Sequence, residues 1–327
     1  MYKLSTMTQN IFGLVLLTTL LSNAVGQAQP RPDTCDRPCL NGLMDVYLTA
    51  LVARDPSRVP AASTLKFTEN SRVLTLGDGA WKTATGLGTF RIEFADPQGG
   101  QAGFIGVLKE GSKSTMLAVR LKVVGHRISE VETILARVSL GGDADLAPSR
   151  LTTARPAWAR IVPEAERSSR DEMIKVANSY YEGIGVSKGD IAKFADDCHR
   201  IENGVALVNN PNYEFGYVSP SGKKLPNFAA MGCREQFNTH LWETDFVDHR
   251  RFSVIDEERG LVWVFSSYHG HARKKCADVP GYGPVCAGPS AASSTLDLVE
   301  LFKIRNGLIH EMESVWTILP PGVMPAW

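Results

Sequence analysis

Leu121–Leu135 reads LKVVGHRISEVETIL and Phe302–Thr317 reads FKIRNGLIHEMESVWT. Laid on one another, Lys122 meets Lys303, Ile128 meets Ile309, Glu130 meets Glu311 and Glu132 meets Glu313. An earlier pair also matches. Lys66–Ser71 is KFTENS and His199–Gly204 is HRIENG, which brings Glu69 onto Glu202 and Asn70 onto Asn203. The same offset carries Tyr47 onto Tyr180 and Leu51 onto Ile184. Two sets of matched landmarks predict a chain built as a repeat. The landmarks lie further apart in the second copy, so that copy carries insertions. Tyr213–Asn227 and Arg273–Ala292, rich in Gly, Pro and Ser, are the natural loops.

Each copy reads in the same order. Leu43, Val46, Tyr47, Ala50 and Leu51 fall on one face at helical spacing, as do Met173, Val176, Ala177, Tyr180 and Ile184. A second, short helix is expected over Asp190–Asp197 (DIAKFADD). Strands follow: Thr89–Phe94, Ala102–Lys109 and Ser114–Val124 in the first copy, Phe252–Ile255, Leu261–Tyr268 and Leu296–Arg305 in the second. The closing strand alternates, with Ile309, Glu311, Glu313 and Val315 on one face and His310, Met312, Ser314 and Trp316 on the other. The copies span residues 40–137 and 171–320. A Gly- and Pro-bearing linker, 138–170, joins them.

The N-terminus carries Lys3, the apolar run Ile11–Leu21 and then small residues, so residues 1–28 read as a signal peptide and the mature chain as secreted or periplasmic. No later stretch reaches membrane-spanning length, so no membrane association is expected once the signal is removed. Thirty-five basic residues balance 35 acidic ones, and no basic stripe argues for nucleic acid. Six cysteines in an exported chain predict disulfides. The local pairs Cys35–Cys39 and Cys276–Cys286 are favoured, which leaves Cys198–Cys233. Zinc is disfavoured because Cys35 and Cys39 lack nearby histidines.

Helix, short helix and a run of antiparallel strands ending in Asn306-Gly307-x-Ile309-x-Glu311-x-Glu313 resembles the nuclear-transport-factor-2-like superfamily, which includes SnoaL-like polyketide cyclases, ketosteroid isomerases and scytalone dehydratases. Phe194-Ala195-Asp196-Asp197 followed by Glu202-Asn203 resembles that family's passage from helix to strand. The chain also resembles tandem secreted proteins of fungi and bacteria. The resemblance implies an α+β fold: two tandem cone-shaped α+β barrels, each with helices packed on a curved antiparallel sheet. It further implies an internal pseudo-dimer and an apolar cavity open at one end.

Such a cavity, with a few placed polar groups, is the default ligand site. The resemblance places Tyr47 and its partner Tyr180 where the isomerases hold an oxyanion-binding tyrosine. It places Glu69-Asn70 and Glu202-Asn203 where they carry their base. Asn cannot serve as that base, which leaves Glu202 as the carboxylate. Glu311 and Glu313 on one strand face form a candidate acid/base pair, although Glu130 and Glu132 repeat them, and a feature kept in both copies also fits a solvated or inter-domain face. His240, Asp245, Asp248 and His249 cluster, and His269 and His271 flank Gly270. These histidines belong to the second copy alone, so that copy is expected to be active.

The expected function is a cofactor-independent lyase, isomerase or cyclase moving a proton on a small apolar or aromatic compound. Tyr180, Glu202, His240, Asp245 and Glu311 form its catalytic set, with Asn203, Glu313, His269, Trp316, Tyr47 and Glu69 around it. The alternatives are a small-ligand-binding protein and a secreted structural or interaction module. No nucleotide loop or hydrolase elbow is present.

Overall fold

The structure, a computed structural model, describes residues 34–138, 145–213, 227–241, 246–270, 275–287 and 294–327. The expected signal peptide lies outside the described residues, as does Asp245. Asp33–Trp327 forms one compact unit.

Helix α1 (Arg37–Ala53) begins where the Asp36 carboxylate accepts the Cys39 amide at 3.0 Å and Pro38 fills the first turn. It ends at Arg54, in the left-handed conformation. Leu40, Met44, Tyr47, Leu48 and Leu51 form its buried stripe. Next come β1 (Ala61–Glu69), β2 (Arg72–Leu74), β3 (Gly86–Asp96), β4 (Gln101–Glu110), β5 (Lys113–Val124) and β6 (Arg127–Ala136). They form one sheet in the order β2-β1-β6-β5-β4-β3. A short helix, α2 (Ala147–Arg150), lies in the connection to the second half.

The second half repeats this order with a further short helix and a two-stranded hairpin added. Helix α3 (Arg170–Gly185) starts at Ser169, whose hydroxyl accepts the Glu172 amide. After it come β7 (Phe194–Glu202), β8 (Val205–Ala206), α4 (Cys233–Asn238), β9 (Phe246–Asp256) and β10 (Leu261–Gly270). A hairpin of β11 (Lys275–Val279) and β12 (Gly283–Ala287) precedes β13 (Ser294–Arg305) and β14 (Leu308–Leu319). The second sheet runs β8-β7-β14-β13-β10-β9, the same plan as the first. The matched sequence landmarks are the β5–β6 and β13–β14 hairpins and the ends of β1 and β7.

The expected α+β fold class is overturned. The chain is mostly strand, in two six-stranded sheets, with four α-helices among the described residues. Neither sheet is purely antiparallel, because β1 pairs with β6, and β7 with β14, in parallel. The expected helix over Asp190–Asp197 is a turn leading into β7. The reason lies in which faces are covered. One face of each sheet receives a long helix, and the other face packs on the second sheet. Phe90, Ile92, Phe94, Ile105 and Val107 share a core with Val254, Trp263, Phe265, Val299 and Leu301. Strands covered on both faces read as continuous apolar runs and need no further helices.

The two sheets approach closely. Phe94 meets Trp263 edge-on, 4.8 Å between ring centres. A Cβ on Gly103 would lie 2.2 Å from the Phe94 ring and 2.3 Å from the Trp263 ring, so only glycine fits there. Reciprocal ion pairs lock the edges. Arg37, opening α1, binds Asp256 at the end of β9, with Nη2 donating to Oδ1 at 2.9 Å. Arg170, opening α3, binds Asp96 at the end of β3, with Nη2 donating to Oδ2 at 2.5 Å. Each aspartate is 1% exposed and also caps its own hairpin, accepting the amide of Gly99 or Arg259.

Cys35 pairs with Cys39 at the start of α1, Cys198 with Cys233 between β7 and α4, and Cys276 with Cys286 across the β11–β12 hairpin. Disulfides form in oxidising compartments. Among the described residues, no helix is long and apolar enough to cross a membrane.

Candidate functional site

Strand register defines which side chains of the second sheet face α3. Across β10, β13, β14 and β7 the pairing runs Val264, Glu300, Ser314, Glu202. Glu300, Ser314 and Glu202 therefore form a polar row on the helix-covered face. Arg200 lies one step along β7, and Ser266 and Tyr268 lie further along β10. Tyr180 and Tyr181 reach down from α3, and Gln236 and Phe237 from α4.

Glu300 is 2% exposed. Tyr268 donates its hydroxyl to Glu300 Oε2 at 2.9 Å. Burial raises the Glu300 pKa from 4.5 to about 7, opposed by the hydroxyls of Tyr181 and Tyr268 and by Arg200, and reinforced by Glu202. Burial likewise holds the Tyr180, Tyr181 and Tyr268 phenols protonated, well above the usual tyrosine range. Arg200, 1% exposed, lies 3.2 Å from Glu202 and donates to Gln236 Oε1 at 2.6 Å. The other Glu202 oxygen accepts the Trp316 indole N–H at 3.1 Å. The Ser314 hydroxyl, between the two glutamates, is buried with no protein hydrogen-bond partner.

The first sheet supplies an internal control. By the same registers, Val119, Leu108 and Phe67 stand where the second has Glu300, Tyr268 and Arg200, and the helix offset that sets Tyr47 on Tyr180 sets Leu48 on Tyr181. All four belong to one apolar core. The same strand order thus carries apolar side chains at these four positions in the first half and polar ones in the second, while Glu69 is buried in the first half where the second has Glu202.

Of the sequence-derived residues, Tyr180, Glu202 and Trp316 come together at this row. Tyr180 is 1% exposed and its ring packs on Tyr181, Phe194, Phe237 and Phe302. Tyr47 is buried against Trp81, centres 5.5 Å apart. Glu69 accepts the Ala80 amide at 2.7 Å and pairs with Arg137. Asn203 is a strand clip: its side-chain amide exchanges two 3.0 Å bonds with the Trp316 backbone, and Asn70 does the same to Leu135. Both asparagines have positive φ, 46° and 49°, as tight two-residue turns require.

Glu311 and Glu313 face the opposite side, toward the first sheet. A bulge at His310 is the cause: Lys303 pairs with Glu311 but Ile304 with Ile309, one residue out of step. Ile309 therefore joins the core under α3, while Val315 joins the inter-sheet core. This corrects the expected common face for Ile309 and Glu311. Arg155 holds Glu311 through two bonds of 2.5 and 3.0 Å. Glu313 is 1% exposed with neither carboxylate oxygen bonded, and burial, reinforced by Glu311, raises its pKa well above the usual range.

His240 is exposed beyond α4. His269 lies on the inter-sheet side of β10. Its Nε2 is 2.8 Å from Asp248 Oδ1, its Nδ1 is 3.3 Å from Thr295 Oγ1, and its ring stacks on Phe246. Among the described residues no group of three metal-ligating side chains converges. Sequence reasoning missed Glu300, Arg200, Tyr181 and Tyr268. The available signal was an acidic residue inside the apolar strand LDLVELF.

A cavity of about 480 Å³ lies on the far side of α4, lined by Cys233, Asn238, Thr239, Met231 and Val279. Helix α4 thus presents Gln236 and Phe237 to the polar row and its other face to this cavity.

Residues 166–316 match a family described as a domain of unknown function, DUF8021. The match takes in Arg200, Glu202, Tyr268, Glu300 and Trp316. A search of curated proteins finds no match. Among solved structures, a de novo designed protein with a curved β-sheet is 11% identical, with a TM-score of 0.27, covering 31% of this chain and 88% of that one. A protein described as a ketosteroid isomerase, from Kribbella flavida, is 16% identical, with a TM-score of 0.27, covering 32% of this chain and 83% of that one.

Proposed function

We propose that this is an exported proton-transfer enzyme of the lyase or isomerase class, secreted or periplasmic. It acts on a small apolar or aromatic carbonyl compound at the polar row of residues 171–320. The observation that carries this reading is Glu300: a buried carboxyl, hydrogen-bonded by Tyr268, with a pKa of about 7. A general acid/base works best with a pKa near the operating pH. Aromatic side chains around it give an apolar wall, and the protonated phenols of Tyr181 and Tyr268 are donors suited to a developing oxyanion. Glu202 with Arg200 orients the far end of the row. Residues 40–137 are the structural copy in this reading, and the shared strand order supports a duplicated unit packed as an internal pseudo-dimer.

The test is hydrogen–deuterium exchange into a panel of aromatic and alicyclic ketones and β-hydroxy carbonyl compounds in D₂O, followed by NMR. Wild-type protein should label or dehydrate at least one compound, and Glu300→Gln should not. Equal behaviour of the two proteins, or no turnover across the panel, removes the catalytic assignment. The close packing of Tyr180 favours one second reading, a binding protein whose interior opens only around its ligand. In that case a panel member raises Tm without being labelled.

A further inference from the structure

At the polar end of the inter-sheet seam, the Trp327 indole is surrounded by cations from both sheets. Lys66 Nζ of β1 lies 3.9 Å from the ring centre, the Arg120 guanidinium of β5 at 4.9 Å and that of Arg251 of β9 at 6.0 Å. Trp327 Nε1 donates to Thr68 Oγ1 at 2.9 Å, and Lys66 Nζ also donates to the Ala326 carbonyl. The cage is held in place by acidic partners: Arg120 binds Glu130 and Glu132, and Arg251 binds Glu132.

Three features separate this arrangement from ordinary packing. The ring belongs to none of the apolar cores. Cations within about 6 Å of an aromatic centre attract its face electrostatically. Among the described residues, the two hydrogen bonds just named are the ones that tie residues 320–327 to the sheets; Val323 bonds only back to Pro320. The segment is therefore held through one recognised side chain and one carbonyl.

We propose that this cation-lined end of the seam is a binding site for a small indole-type aromatic that bears a ring-edge N–H donor and a neighbouring acceptor oxygen, and that Trp327 occupies it in cis. The ring takes the cation cage, the donor takes Thr68 and the acceptor oxygen takes Lys66. The site lies on the inter-sheet face, opposite the Glu300 row, and stands independently of the proposed reaction.

The probe is indole-3-acetate, titrated by calorimetry. A tethered ring competes at an effective concentration of about millimolar, so Trp327→Ala should bind the probe at least roughly tenfold more tightly than wild type. Adding Lys66→Ala should reverse that gain, and Glu300→Gln should leave it unchanged. In wild-type protein the Trp327 indole N–H resonance, assigned with Trp327→Phe, should move on saturation with the probe. A folded Trp327→Ala variant that binds no better than wild type, or binding indifferent to Lys66→Ala, overturns the site. Should Trp327→Ala not fold, the wild-type resonance decides: movement supports the proposal and an unmoved signal overturns it.

Discussion

Tyr268 donates its hydroxyl to Glu300 at 2.9 Å inside the second half, and both residues have apolar counterparts in the first, Leu108 and Val119. The second half therefore buries a carboxyl where the first half has Val119, and its protonation has consequences for stability.

The pKa of Glu300 rises from 4.5 to about 7 on folding, so the folded state holds the proton more tightly than the unfolded one. Stability is then highest below the unfolded value, falls as pH rises from about 4.5 to about 7, and levels off above. At about 1.4 kcal/mol per unit the loss is on the order of 3 kcal/mol. Glu300→Gln should be more stable than wild type at pH 8, and the gain should vanish toward pH 4. Thermal unfolding at several pH values measures it. A pH-independent difference would show that Glu300 ionises normally. Subtracting wild type also removes Asp297, whose pKa burial raises to about 6.

Glu313 behaves in the same direction at the seam between the sheets. Its carboxyl is buried without a partner, and its folded pKa is raised well above the usual value. Glu313→Gln should be close to wild type in acid and more stable in alkali, read from urea midpoints at pH 5 and pH 9. A variant less stable at both would refute this.

Arg170 neutralises Asp96, which is 1% exposed. Removing one partner of a buried pair leaves an uncompensated charge, at a cost of about 3–5 kcal/mol, reduced here because Arg170 is partly exposed. Arg170→Met should therefore lose about 2–4 kcal/mol, and Arg170→Met with Asp96→Asn should recover much of it. A double-mutant cycle with no coupling would sink the claim.

The sheet-to-sheet contact admits little change. Trp263→Ala should cost about 3–5 kcal/mol through loss of packing. Gly103→Ala should cost about 1–3 kcal/mol through overpacking against Phe94 and Trp263. Denaturant unfolding reads both, and a neutral Gly103→Ala would mean the sheets part easily.

Cys198–Cys233 closes a separation of 35 residues and joins β7 to α4, next to Gln236. Loop-closure entropy gives it about 3–4 kcal/mol, more than the short loop of Cys35–Cys39. The Cys198→Ser, Cys233→Ser variant should show a larger fall in Tm than the Cys35→Ser, Cys39→Ser variant in thermal unfolding, and an equal or smaller fall would refute this.

The matched landmarks were readable because they are local. Lys122 and Lys303, Asn70 and Asn203 mark the same turns and strand ends in two places, and turn chemistry acts over a few residues. The bulge at His310 was not readable. It inserts one residue into a strand without any glycine or proline to signal it, and it turns Glu311 and Glu313 away from the face that strict alternation assigns. The expected helix at Asp190–Asp197 failed for a related reason: a strand wedged between β14 and β8 is decided by its partners, not by its own spacing.

By itself the sequence determined the matched hairpins at the ends of the two halves, the turns that the asparagines make and the apolar stripes of α1 and α3, since each depends on side chains close along the chain. Only the tertiary structure decided that the two sheets share a core and that Glu300, Arg200, Tyr181 and Tyr268 converge. Those relations depend on strand register across residues far apart in sequence, where a shift of one position exchanges the buried face for the other.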